Sequence, residues 1–162
     1  MTSRLDHERL DVYQAELQFV AWATDLMVEL VDSHESKTRR IAEAADHLDR
    51  AALSSLFNTA EGNGRRQMRQ RAKFFDDARG SAMECAACLD ALVSKRACSP
   101  ERIELGKSLL VRIVSMLSKL VDRFTATGQV REDSAEYQVE DEDANEDEND
   151  CPRSRPDRRR PG

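Results

Sequence analysis

Four amphipathic segments follow one another along most of the chain. In residues 6–31, apolar side chains recur every three or four positions, the spacing that places them on one face of an α-helix. The same spacing predicts further helices over residues 37–63, 66–96 and 100–124. Amphipathic helices with short connections bury their apolar faces against one another. The pattern therefore predicts an all-α, antiparallel up-and-down four-helix bundle.

Local signals mark the ends of these segments. Gly62 and Gly64 are expected to end the second helix, because glycine tolerates the left-handed conformation of a helix C-terminus. The run Ser99-Pro100-Glu101 combines an N-cap residue, a proline in the first helical position and an acid in the first turn. It predicts the start of the fourth helix, and Gly128 lies just past the predicted end of that helix.

The first segment carries two apolar stripes, although one bundle core needs a single stripe about 100° wide. Two interpretations stay open: a wide core face, or a face left over for another subunit. The first stripe consists of Leu10, Leu17, Val20, Thr24, Met27 and Val31, and the second consists of Val12, Phe19, Ala23, Leu26 and Leu30.

The net charge of −6 is confined to the C-terminal part of the chain. Residues 1–129 contain 19 basic and 19 acidic side chains, so they are neutral as a whole. Residues 132–150 contain 11 acidic side chains and no lysine or arginine, and such a run buries too little apolar area to order itself. The composition therefore predicts a folded domain over 1–128 and a disordered, charged tail over 129–162.

No set of residues has the spacing of a known catalytic or metal site. Cys85, Cys88 and Cys98 lie apart from the three histidines in sequence, whereas structural zinc needs four ligands. We interpret these cysteines as core residues, and we predict no catalytic residue, metal, cofactor or small-molecule substrate. The chain has no long apolar run and no apolar signal core, which predicts a cytoplasmic protein that has no membrane partner.

One short stretch, residues 65–73, concentrates positive charge without any acid. It favours a phosphate-binding patch for RNA or DNA. Two alternatives stay open, namely a solvated helix terminus and a binding site for the protein's own acidic tail. The candidate residues are Arg65, Arg66, Arg69, Arg71 and Lys73.

The third segment also carries a charge on its apolar stripe, at Arg79. A buried guanidinium needs a carboxylate partner, and we predict Glu61, with Glu84 and Asp49 as alternatives. Beside it, Gly80 costs ~1 kcal/mol relative to alanine in a helix interior. Tight packing is the usual compensation, so Gly80-Ser81-Ala82 is expected to contact another helix closely.

Two motifs lie on either side of the basic stretch. The first reads N-x-A-E-G-x-G-R and the second reads F-x-x-A-R-G-S-x-x-E. Together they resemble the four helix bundle protein family, over residues 10–124. That family includes proteins encoded in intervening sequences of bacterial 23S rRNA genes and the accessory variability protein of diversity-generating retroelements. The matching positions are Asn58, Glu61, Gly62, Gly64, Arg65, Arg79, Gly80, Ser81 and Glu84.

The resemblance implies a four-helix protomer in a ring-shaped homopentamer, with the second apolar stripe at the subunit interface. For the retroelement branch it implies binding to nucleic acid and to a reverse transcriptase. We therefore expect a non-enzymatic homo-oligomer that contacts nucleic acid or a nucleoprotein through residues 65–73. A protein–protein scaffold is the alternative. The chain departs from the family at Ser55-Leu56, where Ile-Pro is frequent, at Thr59, where isoleucine is frequent, and in its neutral body.

Overall fold

A computed structural model describes the backbone of residues 4–33 and 39–143, and the side chains of residues 4–30 and 41–127. These residues form one 3-10 turn, Asp6–Arg9, and four α-helices. The described backbone contains no β-strand, so the predicted all-α class is confirmed. The helices are α1 (Asp11–Ser33), α2 (Arg39–Gly64), α3 (Met68–Ser94) and α4 (Pro100–Asp143).

Each helix runs antiparallel to its neighbours. Between α2 and α3, for example, His47 contacts Glu84 while Asn63 contacts Arg71, so residue numbers rise on one helix as they fall on the other. At least one polar contact joins every neighbouring pair around the bundle. These contacts are Glu16–Ser55 between α1 and α2, His47–Glu84 between α2 and α3, Asp90–Lys107 between α3 and α4, and Arg102–Glu29 between α4 and α1.

The second apolar stripe of α1 forms part of the core of the protomer. All five of its side chains are buried, at 6% exposure or less. Assigning this stripe to a subunit interface is therefore wrong. Both stripes have helical spacing, so the sequence does not show which of them is buried. The packing of α2 and α4 against α1 determines this. The first stripe is only partly covered: Leu10 and Val20 pack against the edge of the core, whereas Leu17 is 40% exposed and Thr24 is also exposed.

Two helix ends differ from the sequence prediction. The 3-10 turn and an extended Leu10 precede α1, so that helix begins at Asp11 rather than at residue 6. At the other end, α4 continues past Phe124 and through Gly128 to Asp143, because one glycine costs a helix only ~1 kcal/mol and no proline follows before residue 152.

The chain divides into two compact units, Met1–Gly128 and Gln129–Gly162. Residues 129–143 of the second unit are helical, and residues 144–162 lie outside the described residues. Disorder of the tail stays a prediction.

Candidate nucleic-acid interface at the α2–α3 corner

The corner between α2 and α3 brings two helix ends into close contact. Only residues 65–67 separate Gly64 from Met68. At Gly62, a Cβ atom would lie 3.0 Å from the Cβ of Phe74 and 3.3 Å from the ring of Phe75. Glycine at this position lets the last turn of α2 approach the first turns of α3, and the corner is correspondingly compact.

Arg65 is used to build the corner. Its guanidinium donates to Glu61 one turn earlier on α2 and lies 4.7 Å from the centre of the Phe74 ring on α3. A cation over an aromatic face is attracted by the ring quadrupole. Arg65 thus joins α2 to α3, and its charge is already partly compensated by Glu61.

Arg71 has a similar role on the inner side of the corner. Its Nη2 donates to Asn63 Oδ1 at 3.0 Å, and its guanidinium lies 4.5 Å from the centre of the Phe124 ring on α4. Phe124 in turn stacks on Phe75, with ring centres 5.6 Å apart. Arg71 therefore connects three helices.

The predicted five-residue patch is thus divided. Arg65 and Arg71 are half-buried and hold the corner together, whereas Arg66, Arg69 and Lys73 are exposed. We call these three residues the outer basic cluster. The first turn of α3 contains no acid, and its N-cap residue, Gln67, makes no side-chain cap hydrogen bond. The positive end of the helix dipole adds to the charge of the cluster.

The sequence prediction missed Arg123 on α4, which lies 5.8 Å from the centre of the Phe124 ring. Arg71 and Arg123 consequently share one aromatic ring, although 52 positions separate them in the sequence. The available signal was the Arg-Phe pair at the predicted end of the fourth helix. In an up-and-down bundle that end lies beside the α2–α3 connection.

Two motif residues, Asn58 and Ser81, belong to a chain of hydrogen bonds that joins α2 to α3. Asn58 Nδ2 donates to Ser54 Oγ at 3.3 Å, the hydroxyls of Ser54 and Ser81 lie 2.9 Å apart, and Ser81 donates to the carbonyl of Asp77 at 3.1 Å. Because Ser81 gives its proton to Asp77, Ser54 is the donor between the two hydroxyls. These motif positions therefore fix the packing of α2 on α3.

The predicted ion pair between Arg79 and Glu61 is wrong. Arg79 donates through Nε and Nη2 to Asp76 Oδ1, at 3.0 and 2.7 Å, on its own helix. Glu61 pairs with Arg65, and Glu84 contacts His47 at 2.5 Å. The Arg79 side chain is 37% exposed, so it lies at the edge of the apolar stripe and needs no buried partner.

The predicted close contact at Gly80 is also wrong within the protomer. No heavy atom lies within 4 Å of a Cβ built at Gly80. Its neighbours do face α2 or the core, since Ser81 contacts Ser54 and Ala82 is fully buried. Gly64 is likewise uncrowded, because no heavy atom lies within 4 Å of a Cβ built there.

The cysteines of α3 are core residues, as the sequence predicts. Cys85 is fully buried and Cys88 is 7% exposed. Burial raises the pKa of the Cys85 thiol to about 12, so it stays protonated at neutral pH. Within residues 4–30 and 41–127, no three histidine, cysteine or acidic side chains are arranged to hold a metal ion. No helix in the described part of the chain has the length and apolar character needed to cross a membrane.

Comparison with known proteins identifies the family of the chain. A search of curated proteins finds no match. The family model described as 23S rRNA-intervening sequence protein matches residues 8–119, a span that begins in the 3-10 turn and reaches well into α4. This span covers more than half of the chain and contains both sequence motifs. The chain therefore belongs to the 23S rRNA-intervening sequence protein family.

Proposed function

We propose that the protein is a non-enzymatic homo-oligomeric module that binds nucleic acid, or a nucleoprotein such as a reverse transcriptase with its template, through the outer basic cluster. The observation that carries the proposal is that the basic residues at the corner have two different roles. Arg65 and Arg71 fix the two helix ends, and Arg66, Arg69 and Lys73 are left exposed. A rigid base under exposed cations lowers the entropy lost when they bind phosphates.

Homo-oligomerisation would strengthen such weak contacts. An apolar groove of about 380 Å³ lies between α3 and α4. Two of its lining residues, Met83 and Val111, are 54% and 70% exposed. On α1, the first stripe leaves Leu17 at the surface. We propose that a second copy covers the groove with the first stripe of its α1. The groove and this stripe are two different faces of the protomer, so the same contact can repeat from copy to copy and close into a ring. A ring would present several copies of the outer basic cluster, whose affinities add through avidity.

We predict that changing both Met83 and Val111 to aspartate converts the oligomer into monomers. The substitutions place charges on an apolar surface that the proposed contact buries. Sedimentation velocity measures the mass, and circular dichroism checks that the helices persist. Phe57→Asp is the matched control, since Phe57 is 63% exposed on α2 and lies outside the groove. A wild-type protein that is monomeric at tens of micromolar would remove the ring, and an unchanged mass in the double variant would place the interface elsewhere.

For nucleic acid, we predict that changing Arg66, Arg69 and Lys73 together to glutamine weakens binding at least tenfold. The dependence of log K on log salt should also become less steep, by about two to three, since each lost phosphate contact removes about 0.7–0.9. Filter binding of a single-stranded RNA and a duplex DNA across a salt series measures both quantities. The control variant changes three exposed cations away from the corner, namely Arg50, Arg96 and Arg112.

The acidic tail requires its own control because it is a competing polyanion on the same chain. A full-length variant carries amides in place of the carboxylates of residues 132–150. If the tail shields the outer basic cluster, this variant binds nucleic acid more tightly than wild type. Three outcomes would contradict the nucleic-acid proposal. They are binding that does not depend on salt, an equal loss of binding in the control triple variant, and no binding even when the tail is neutralised. The last outcome would favour the protein–protein scaffold.

A further inference from the structure

Glu16 is unusual because it places a carboxyl group inside the bundle. It is only 2% exposed, and within the described side chains it is the only acidic or basic residue in the buried class. Two hydroxyls from α2 donate to a single oxygen of this carboxyl group. Ser55 Oγ lies 2.6 Å and Thr59 Oγ1 lies 2.9 Å from Glu16 Oε1. The other oxygen, Oε2, is buried and has no hydrogen-bond partner among the described residues.

Among the described side chains, none of the groups in contact with Glu16 is a cation that could balance a negative charge on it. From α2 it meets the uncharged side chains of Ser55 and Thr59. On α3, the titratable group that interacts electrostatically with Glu16 is the thiol of Cys85, which is protonated at neutral pH. The core residues that α4 contributes in the described part of the chain are apolar, including Leu110, Ile113 and Leu117.

A buried carboxylate without a cation is unfavourable, so the folded protein favours the neutral acid. Ser55 and Thr59 each have one proton and both give it to Oε1, which leaves Oε2 as the atom that carries the acid proton. Burial raises the pKa of Glu16 from 4.5 to about 7, and the two hydroxyl hydrogen bonds act in the opposite direction.

We propose that Glu16, Ser55 and Thr59 form a proton-binding site in the core, and that this site couples the packing of α1 on α2 to pH. When the proton leaves Oε2, the two hydroxyls alone solvate the charge. Water must then enter between the two helices, or the contact must open. The ligand of the site is a single proton, and its release loosens the α1–α2 side of the bundle.

The direction of the pH effect follows from comparing the folded and unfolded states. The pKa of Glu16 is higher in the folded protein, so the folded state holds one more proton between pH 4.5 and 7. The stability that this proton provides is complete below pH 4.5 and is lost as the pH rises through 7. Within that window, the unfolding constant should rise up to tenfold for each pH unit, and above it the constant should level off.

The decisive comparison uses full-length wild type and Glu16→Gln, which keeps the shape and removes the titration. Urea unfolding from pH 5 to pH 8 gives the unfolding constants. We expect the wild-type constant, divided by that of Glu16→Gln, to rise about fortyfold between pH 5 and pH 7. The ratio removes opposite contributions common to both proteins, such as Glu29, whose pKa is lowered by its hydrogen bond from Arg102. Glu104→Gln, at an exposed position on α4, controls for losing one carboxylate.

A second measurement needs no substitution in the core. Carbon-13 NMR of the glutamate carboxyl groups in folded wild type should show one resonance that titrates with a midpoint near pH 7. Amide exchange in α1 and α2, corrected for its intrinsic pH dependence, should accelerate above that midpoint. If every glutamate titrates below pH 6, or if the ratio of unfolding constants does not change with pH, the proposal is overturned.

Discussion

Truncating Phe75 to alanine is expected to destabilise the bundle by about 3–5 kcal/mol, the usual cost of removing a buried aromatic ring. Phe75 is 1% exposed, and it occupies the centre of the α2–α3 corner. Its ring packs against Gly62 on α2 and stacks on Phe124 of α4. The truncation leaves a cavity between three helices. It also removes the support of the ring over which Arg71 lies.

Urea denaturation at a fixed oligomeric state measures this cost. Phe57→Ala is the control, because Phe57 is 63% exposed and exposed substitutions usually change stability by less than 0.5 kcal/mol. A cost below 1 kcal/mol for Phe75→Ala would mean that the corner is not packed as described. A large cost for Phe57→Ala that depends on protein concentration would instead place Phe57 in a contact between copies.

The fold could be predicted from the sequence because apolar spacing is a local property. An up-and-down bundle follows from four segments with helical spacing, a proline at the start of the fourth segment and short connections between them. The buried face of α1 could not be predicted, since both stripes have the same spacing. The end of α3 was predicted to within two residues, but the signal that ends it was not. The helix closes with Arg96 in the left-handed conformation (φ 58°), where glycine is the usual signal.

The site was harder to predict because the role of each basic residue depends on its contacts with residues of other helices. Arg65 and Arg71 look like Arg66 and Arg69 in the sequence. Their contacts with Glu61, Asn63 and the rings of Phe74 and Phe124 show that they hold the corner together. The three exposed cations nevertheless belong to the stretch that the sequence singled out.

The sequence prediction missed Glu16, although it lies four positions after Val12 and three before Phe19, on the second apolar stripe. A single glutamate inside a helix is normally at the surface. The partners of Glu16, Ser55 and Thr59, lie about 40 positions away. In this chain the hydroxyls of both residues donate to the buried carboxyl group.

The second large effect is expected at Gly106, where α4 passes under the indole of Trp22. A Cβ atom at Gly106 would lie 2.2 Å from both Cη2 and Cζ3 of Trp22, well inside van der Waals contact. The indole has little freedom to move away. Its ring lies 5.7 Å from that of Phe19 and under the guanidinium of Arg102, which is itself paired with Glu29. This is the closest approach between α1 and α4 that any glycine permits in the described bundle.

We predict that Gly106→Ala destabilises the protein by about 1–3 kcal/mol through overpacking, even though alanine is the better helix former by ~1 kcal/mol. Gly80→Ala is a matched control for the same substitution. A Cβ at Gly80 meets open space, so this variant is expected to gain about 1 kcal/mol. Urea unfolding of the two variants should thus give changes of opposite sign. Equal changes would show that Trp22 does not restrict the approach of α4.

A double-mutant cycle separates the contact with Trp22 from the intrinsic preference of the helix. In a Trp22→Ala background the obstructing ring is absent, so Gly106→Ala should become stabilising, by up to about 1 kcal/mol. Gly80→Ala should have the same effect in both backgrounds, because nothing on α1 contacts it. The reversal of sign at Gly106 alone would show that the indole dictates glycine there. A penalty that persists without the indole would assign the constraint to the backbone of α4 instead.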